Sequence, residues 1–443
     1  MRLVYGSSRG KNIIISVLAL STISPPFLCS MAYLMLFGRR GLITWRLLGF
    51  EWNPYGFHGV LLMEAASLIG LTSLLITAAL NNIDGTLEEV SLNLGASPLK
   101  TFAGVSLPLA LPGILAASLA AFVRSLSDFG TPLFVGGRFQ VLASRAYDTM
   151  ISIGDFNTAC AMNVLLVIPA LILILIRPSR NDLYNSAVTR QHTLSLHKNF
   201  MFTASSAAWL FTLLQIMIYG LIFLGSVTQT WGVDFALTMK HISGIANFRL
   251  DSIIRSLLCS LIAGFSGCLI SLVIVLVMPS GVAFWLSDIA YLIPGTFFGV
   301  GYLLAFTRLP FEVPAVILIS ACCMCRQLSP VLNAVKAGYG QINPDLPYAI
   351  KDLGGGAANV LKDLLAPLLM PFLRLGFLNT FSAAMTATGA IIFLVSPYVR
   401  VAAVELFESI NEGDFGSASA RGSLLILIAA GVKAIVWKLT YNE

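Results

Sequence analysis

Charged residues are scarce in this chain of 443 residues, at 11% of the composition, whereas a soluble domain carries about 25%. Hydrophobic residues make up 57%, and the mean hydropathy is +0.85. So few charges cannot solvate the whole surface, so lipid must cover much of it. Several apolar runs reach about 20 residues, the length that crosses a bilayer core. The sequence therefore predicts an all-α polytopic membrane protein.

A nucleotide-binding loop is also missing. The nearest approach to the Gly-x-x-x-x-Gly-Lys-Ser/Thr pattern, residues 6–12, is one residue short, ends in asparagine and follows no strand. Without a cradle for phosphate, the chain should not hydrolyse ATP, and we predict that it is not an enzyme and holds no cofactor. No basic run suits nucleic acid either, although the net charge is +6.

Clusters of metal ligands are lacking as well. Cys322, Cys323 and Cys325 are close enough in sequence to suggest a metal site, but no acidic residue or histidine lies near them. All seven cysteines fall in apolar stretches, where cysteine behaves as a small apolar residue. We predict no metal site. His192 and His197 lie in a polar stretch that we expect to be solvated rather than ligating.

The apolar runs predict about ten spans, with boundaries uncertain by a few residues. The longest polar stretch separates them into a first half at residues 1–176, a cytoplasmic linker at 177–199 and a second half at 200–443. The first half has about four spans and the second about six, so we expect that the opening helices of the first half are naturally absent or have been lost from the reading frame. The predicted spans are 12–37, 59–80, 107–127, 157–176, 201–227, 253–277, 283–307, 311–328, 367–395 and 416–437.

The two halves repeat each other at an offset of 259 residues. Gly95 then corresponds to Gly354, and Pro108 to Pro367, and residues 154–156 and 413–415 both read Gly-Asp-Phe. No gap is needed from Ile83 to about Ile172. Both polar loops come out cytoplasmic in the span count, so the sequence predicts two parallel repeats rather than inverted ones.

A polar loop lies between apolar runs in each repeat. In the first copy, Glu88 and Glu89 occupy positions where carboxylates favour a helix N-terminus, Gly95 permits a tight turn, and Pro108 suits the start of the next helix. We interpret this pattern as an acidic knob on a stiff elbow, shaped to dock into a groove of a partner. The corresponding positions of the second copy are Tyr348, Asp352, Gly354 and Pro367.

This pattern resembles the coupling loop of ABC-importer permeases, in which Glu-Ala-Ala is followed by three residues, Gly, nine residues and Ile-x-Leu-Pro. The first copy fits with Glu89 as the glutamate, but Val90 and Ser91 replace the alanines. The second copy has Tyr348 in place of the glutamate, and Asp352 or Asp345 could supply its acidic contact. The resemblance implies the type I ABC-importer permease fold and two copies of an ABC ATPase subunit that bind ATP, one under each loop.

A wider resemblance covers nearly the whole chain. Residues 24–38, 127–137, 293–296 and 390–397 are similar to the fused permeases of ferric-iron importers. That family implies a multi-pass protein of the bacterial inner membrane that passes ferric iron from a periplasmic binding protein to the cytoplasm by alternating access. The alternatives are a permease for another solute (thiamine, a phosphonate or a sulfate-like anion), a secondary transporter driven by an ion gradient, and a truncated inactive remnant.

Three charged residues lie in or beside apolar runs. Glu64 begins a second literal match to the short motif, which we reject because it lies inside an apolar run and lacks the closing proline. Glu64 either lines the transport pathway or packs in a protonated or hydrogen-bonded form. Asp128 either contacts the binding protein or the passing ion, or caps a helix end. Arg421 is a candidate for lining the pathway between the halves.

Overall fold

The computed structural model is predominantly helical and falls into two compact units. Unit 1 comprises residues 1–144 and 175–239, and unit 2 comprises residues 145–174 and 240–443. These units do not follow the predicted halves, because a segment from each half belongs to the other unit. The predicted linker lies almost wholly outside the described residues, which are 8–25, 27–39, 41–49, 52–81, 83–176, 198–248, 250–278, 281–306, 314–395 and 399–441.

Unit 1 contains helices and one small hairpin. The two antiparallel strands are Thr228–Thr230 and Asp234–Leu237. Two π-helical segments are Leu42–Leu47 and Phe102–Ser106. The α-helices are Ser8–Ser21, Phe27–Phe37, Phe57–Asn81, Gly85–Asn93, Pro98–Thr101, Leu107–Ser127, Gly130–Val135 and Lys198–Ser226. Helix Leu142–Asp148 crosses the boundary between the units.

The described elements of unit 2 are helices. It has π-helical segments at Thr149–Ile153 and Val360–Leu365. Its α-helices are Phe156–Ile176, which ends at the boundary of the unit, and Lys240–Phe248, Leu250–Val277, Val282–Leu292, Gly295–Phe306, Ala315–Tyr339, Leu346–Asp352, Ala357–Asn359, Ala366–Met385, Ala402–Asn411 and Phe415–Tyr441.

Seven helices among the described residues are long and apolar enough to cross a membrane, or eight if one bent pair counts as a single span. The ten predicted spans are therefore not confirmed among the described residues, where two of them are broken and another apolar helix is shorter. The predicted span 12–37 is interrupted by turns at residues 22–25, where Pro25 cannot donate a helical hydrogen bond. The predicted span 283–307 bends by 109° between Leu292 and Gly295. In helix Phe156–Ile176, the apolar part Phe156–Ile172 is shorter than the 18 residues required of a candidate span.

A tightly packed group of three helices forms the centre of unit 2. Helices Leu250–Val277, Ala315–Tyr339 and Ala366–Met385 contact one another at glycines. A Cβ atom added at Gly338 would lie 2.4 Å from the Phe372 ring, and one at Gly376 would lie 2.7 Å from Val331. Small residues let transmembrane helices approach closely where lipid provides no hydrophobic drive for association.

Candidate functional site

The first loop, residues 83–108, is a short helix, a turn and a re-entry. Helix Gly85–Asn93 starts at Asp84, whose carboxylate accepts a hydrogen bond of 3.0 Å from the backbone N–H of Thr86. Hydrogen bonds from the backbone and side chain of Thr86 lower the pKa of Asp84. The chain then reverses at Gly95, which has a φ of +86°, a conformation that favours glycine. The structure thus has the turn that the sequence predicts.

Glu88 is not part of an exposed acidic knob, which corrects the sequence interpretation. Its side chain is buried, and the hydroxyl of Ser106 donates a hydrogen bond of 2.7 Å to its carboxylate. Glu89, the next residue, is exposed. Consecutive residues of a helix point about 100° apart, so one carboxylate holds the elbow closed while the other faces outward.

We expect Ser106→Ala to loosen the first loop by about 1–3 kcal/mol, the cost of removing a hydrogen bond from a buried polar group. Amide hydrogen exchange across residues 85–94 should speed up, because the helix loses its tie to the re-entering chain. The matched control is Glu89→Gln, which changes an exposed carboxylate and should leave exchange unchanged. Equal exchange in both variants would contradict the anchoring role of Glu88.

The second loop, residues 342–367, has the same succession of elements. Helix Leu346–Asp352 is followed by Leu353, by Gly354 with a φ of +84°, and by the short helix Ala357–Asn359. A π-helical segment, Val360–Leu365, then precedes the long helix that holds Pro367 in its first turn. In the first loop the π-helical segment is Phe102–Ser106.

The two loops hold themselves together by different chemistry. At the positions of Glu88 and Ser106, the second loop has Pro347 and Leu365. Leu365 is buried with Val360 in an apolar cluster of unit 2. Tyr348, at the position of Glu89, is 65% exposed, and the ammonium of Lys351 lies 5.7 Å from the centre of its ring.

Sequence reasoning missed one feature that the loops share. Leu94 is 83% exposed and Leu353 is 89% exposed, and each directly precedes the glycine with positive φ. Exposed leucine is ordinary in lipid, but these two lie in polar loops outside the candidate spans. Their recurrence at the 259-residue offset was visible in the sequence. A single exposed leucine is ordinary on a protein surface, so the notable feature is that the two leucines recur at matching positions beside the glycines.

Asp128 caps a helix start. Its carboxylate accepts hydrogen bonds from the backbone N–H groups of Gly130 at 2.8 Å and Thr131 at 3.2 Å, and from the Thr131 hydroxyl at 2.7 Å. The capping interpretation therefore has direct geometric support. Glu64 is buried on helix Phe57–Asn81, and its carboxyl group interacts with Asp128 and Ser125. Whether either residue contacts a solute stays a prediction.

Arg421 forms a buried ion pair within unit 2. Its Nε lies 3.5 Å from Oε2 of Glu405, its Nη1 donates to the Ser409 hydroxyl at 2.5 Å, and Ser252 donates to Glu405 at 2.9 Å. Together with Ser252, the pair connects three helices, and Glu405 balances the charge of Arg421 inside the unit. Its role as a pathway contact stays a prediction. The sequence analysis missed Glu405, and also the buried Asp288, which accepts a hydrogen bond from Ser329.

Among the described residues, no group of three or more histidine, cysteine, aspartate or glutamate side chains could hold a metal ion. The three neighbouring cysteines are free thiols, of which Cys322 and Cys323 are buried and Cys325 is partly buried. On helix Ala315–Tyr339, Cys322 and Cys325 are three residues apart and share a face, whereas Cys323 points about 100° away from Cys322.

These features define a class of protein: a polytopic helical membrane protein with two polar elbows of matching local geometry. Residues 3–190 match the family described as binding-protein-dependent transport system inner membrane component. The chain is 32% identical over 175 residues to the molybdenum transport system permease protein ModB of Escherichia coli strain K12, covering 38% of this chain and 76% of that protein. The chain therefore belongs to the family of binding-protein-dependent transport system inner membrane components.

Other relatives match over different lengths. The chain is 29% identical over 436 residues to the ferric transport system permease protein FbpB of Actinobacillus pleuropneumoniae, covering 93% of this chain and 64% of that protein. It thus spans somewhat less than two thirds of the length of that relative. It is also 30% identical over 174 residues to the putative 2-aminoethylphosphonate transport system permease protein PhnU of Salmonella typhi, covering 38% of this chain and 58% of that protein.

Proposed function

We propose that this chain is the membrane-spanning permease of an importer in which separate ATPase subunits drive solute passage. The observation that carries the proposal is the pair of loops, each with a short helix, an exposed leucine and a glycine of positive φ at the same offset. Two copies of an ABC ATPase subunit would bind them, one at each loop. We further propose that the 259-residue repetition reflects two parallel copies of the type I permease fold.

The physical role of each loop would be that of a lever. A polar helix tied to the following span transmits a push only if the elbow is stiff, and the buried Glu88–Ser106 hydrogen bond stiffens the first elbow. Closure of the ATPase pair around ATP would move both elbows together. The permease would then switch between outward-open and inward-open states, a two-state change biased by nucleotide.

We propose ferric iron, delivered by a periplasmic binding protein, as the solute. The support is the similarity to FbpB along 93% of this chain. A tetrahedral oxyanion is the second candidate, because ModB and PhnU are also relatives. One observation favours the oxyanion: the Arg326 guanidinium lies so close to Gly295, the first residue of helix Gly295–Phe306, that a Cβ atom added there would be 2.9 Å from it. A helix start beside arginine suits an anion.

Reconstitution in lipid nanodiscs tests both the class and the solute. The chain is combined with its candidate ATPase, and the binding protein is added empty, loaded with ferric iron, or loaded with molybdate. We expect ATP hydrolysis to rise several-fold with the iron-loaded binding protein and to stay near its basal rate with the others. If only the molybdate-loaded binding protein stimulates ATP hydrolysis, the proposed solute becomes the oxyanion. Uptake in liposomes that contain no ATPase would reject the proposal in favour of a secondary transporter.

Gly95→Val should uncouple ATP hydrolysis from uptake. A β-branched residue at a φ of +86° costs about 1–2 kcal/mol or more, so the elbow should relax and lose its fixed direction. We expect uptake to fall at least tenfold while hydrolysis continues. Gly104→Val is the control, because a Cβ atom there meets nothing within 4 Å and no positive φ is involved. Coupled transport in the Gly95 variant would argue against the lever.

A further inference from the structure

We infer that the two loops bind their ATPase partner by different chemistry: a shared leucine anchor in both, reinforced by a salt-sensitive carboxylate contact in the first loop and by a salt-insensitive aromatic contact in the second. This inference rests on the proposed function, since it assumes that an ATPase subunit docks at each loop. It concerns how each loop recognises that partner and predicts that the two docking sites are unequal.

The common part is the leucine. Leu94 and Leu353 are the most exposed large apolar side chains of their loops, at 83% and 89%. Each is the C-cap residue of its short helix, so the same local geometry presents it. An exposed leucine side chain at this position would be stabilised by removal from water in an apolar pocket of the partner.

The first loop adds a negative charge. Glu89 is exposed, one position beyond the buried Glu88. The other charges of the loop are Asp84, the helix cap, and Lys100, in the next short helix. Glu89 is thus the outward-facing carboxylate of the docking helix, and it suits a basic residue on the partner.

The second loop replaces that charge with an aromatic ring. Tyr348, at the position of Glu89, is 65% exposed. The adjacent charges of Lys351 and Asp352 are of opposite sign and compensate each other at a distance, and the Lys351 ammonium lies over the Tyr348 ring at 5.7 Å. The charges within helix Leu346–Asp352 therefore balance, and the position of Glu89 offers a ring instead of a carboxylate; the exposed carboxylate of Asp345 lies at the N-cap of this helix.

One partner species can satisfy both loops. If the two ATPase subunits are identical, each groove must contain an apolar pocket for the leucine, a basic residue and a surface that accepts an aromatic ring. The first loop would use the basic residue and the second the aromatic surface. The contact at the first loop should weaken with salt, because the Debye screening length falls to about 3 Å at 1 M ionic strength. The contact at the second loop should not weaken, because an aromatic ring makes it instead of a carboxylate.

The test measures docking at each loop separately in the full chain reconstituted with the ATPase. A photo-crosslinking amino acid replaces either Asn93 or Asp352, which are equivalent exposed positions, and the yield of crosslinked ATPase is followed from about 0.05 M to 1 M salt. We expect the yield at the first loop to fall roughly fivefold, the scale of one exposed ion pair, and that at the second loop to change less than twofold. Leu94→Ser and Leu353→Ser should each lower the yield at their own loop by tenfold or more.

The decisive experiment exchanges the residue types at positions 89 and 348. With Glu89→Tyr, docking at the first loop should become insensitive to salt, and with Tyr348→Glu, docking at the second loop should become sensitive. The salt sensitivity expected of Tyr348→Glu is a gain that a variant that fails to fold cannot imitate. The Glu89→Tyr result counts only if its yield at low salt stays near that of the unchanged chain. Because the crosslinker at position 352 removes Asp352, a second crosslinker at Asn359 tests whether that carboxylate supplies the acidic contact.

The outcomes separate the two proposals. If neither loop crosslinks to the ATPase at any salt concentration, the proposed function itself fails. If both loops crosslink with the same salt dependence, or if the exchange leaves both profiles unchanged, the coupling role survives and the inference of unequal docking is overturned. The inference would also be overturned if docking at the second loop depends on salt and Asp352→Asn removes that dependence.

Discussion

Replacing Arg421 by methionine is expected to lower the free energy of unfolding by about 3–5 kcal/mol, because it leaves a buried carboxylate without its cation. Arg421 and Glu405 are 7% and 4% exposed, and the pair joins helices Ala402–Asn411 and Phe415–Tyr441. Thermal unfolding of the purified protein in detergent measures the loss as a lower Tm.

Two further variants distinguish the cost of an isolated charge from the value of the pair. Glu405→Met combined with Arg421→Met should recover much of the stability, since a buried ion pair is often replaceable by apolar residues of similar volume. The control is Arg400→Met, which breaks the 2.9 Å pair between Arg400 and Glu408; both partners are about 40% exposed, so the loss should stay below about 1 kcal/mol. Equal losses in Arg421→Met and Arg400→Met would contradict the argument.

Phe381→Ala is expected to destabilise unit 2 by about 2–3 kcal/mol. Phe381 is fully buried on helix Ala366–Met385 and stacks on Phe377 with ring centres 5.9 Å apart. Lipid is as apolar as a phenylalanine ring, so transfer of the side chain contributes little. The expected loss is therefore mainly the cavity that a smaller residue leaves in a packed interior.

The chain supplies a matched control at the position 259 residues earlier, which the proposed repeat pairs with Phe381. Phe122 is the equivalent of Phe381 at the 259-residue offset, but it is 49% exposed on helix Leu107–Ser127. Phe122→Ala leaves no enclosed cavity and should change the Tm by no more than a degree or two. A larger loss for Phe122 than for Phe381 would show that burial of these rings does not control stability.

Sequence reasoning succeeded where the cause is local. The positive φ at Gly95 and Gly354 follows from glycine, which alone adopts that conformation without strain. The two Gly-Asp-Phe sequences also have a local cause in common: the carboxylates of Asp155 and Asp414 each accept a backbone N–H three residues later, at the start of a helix. The family likewise followed from motifs that short stretches of sequence contain.

Sequence reasoning fell short at breaks within apolar runs and at contacts between distant residues. The ten predicted spans are not confirmed, because the run 12–37 is interrupted at residues 22–25 and the run 283–307 bends at residues 293–295. Glu88 and Glu89 looked alike as neighbouring acids, and only the hydroxyl of Ser106, 18 residues away, distinguishes the inner from the outer carboxylate.

By itself, the sequence determined that this is a helical membrane protein with two turning loops, since apolar length and glycine conformation act within a few residues. The tertiary structure decided which side chains of those loops face outward and that Arg421 is paired with Glu405. The physical reason is that burial and charge compensation depend on packing between separate helices, and periodicity along one helix does not specify its neighbours.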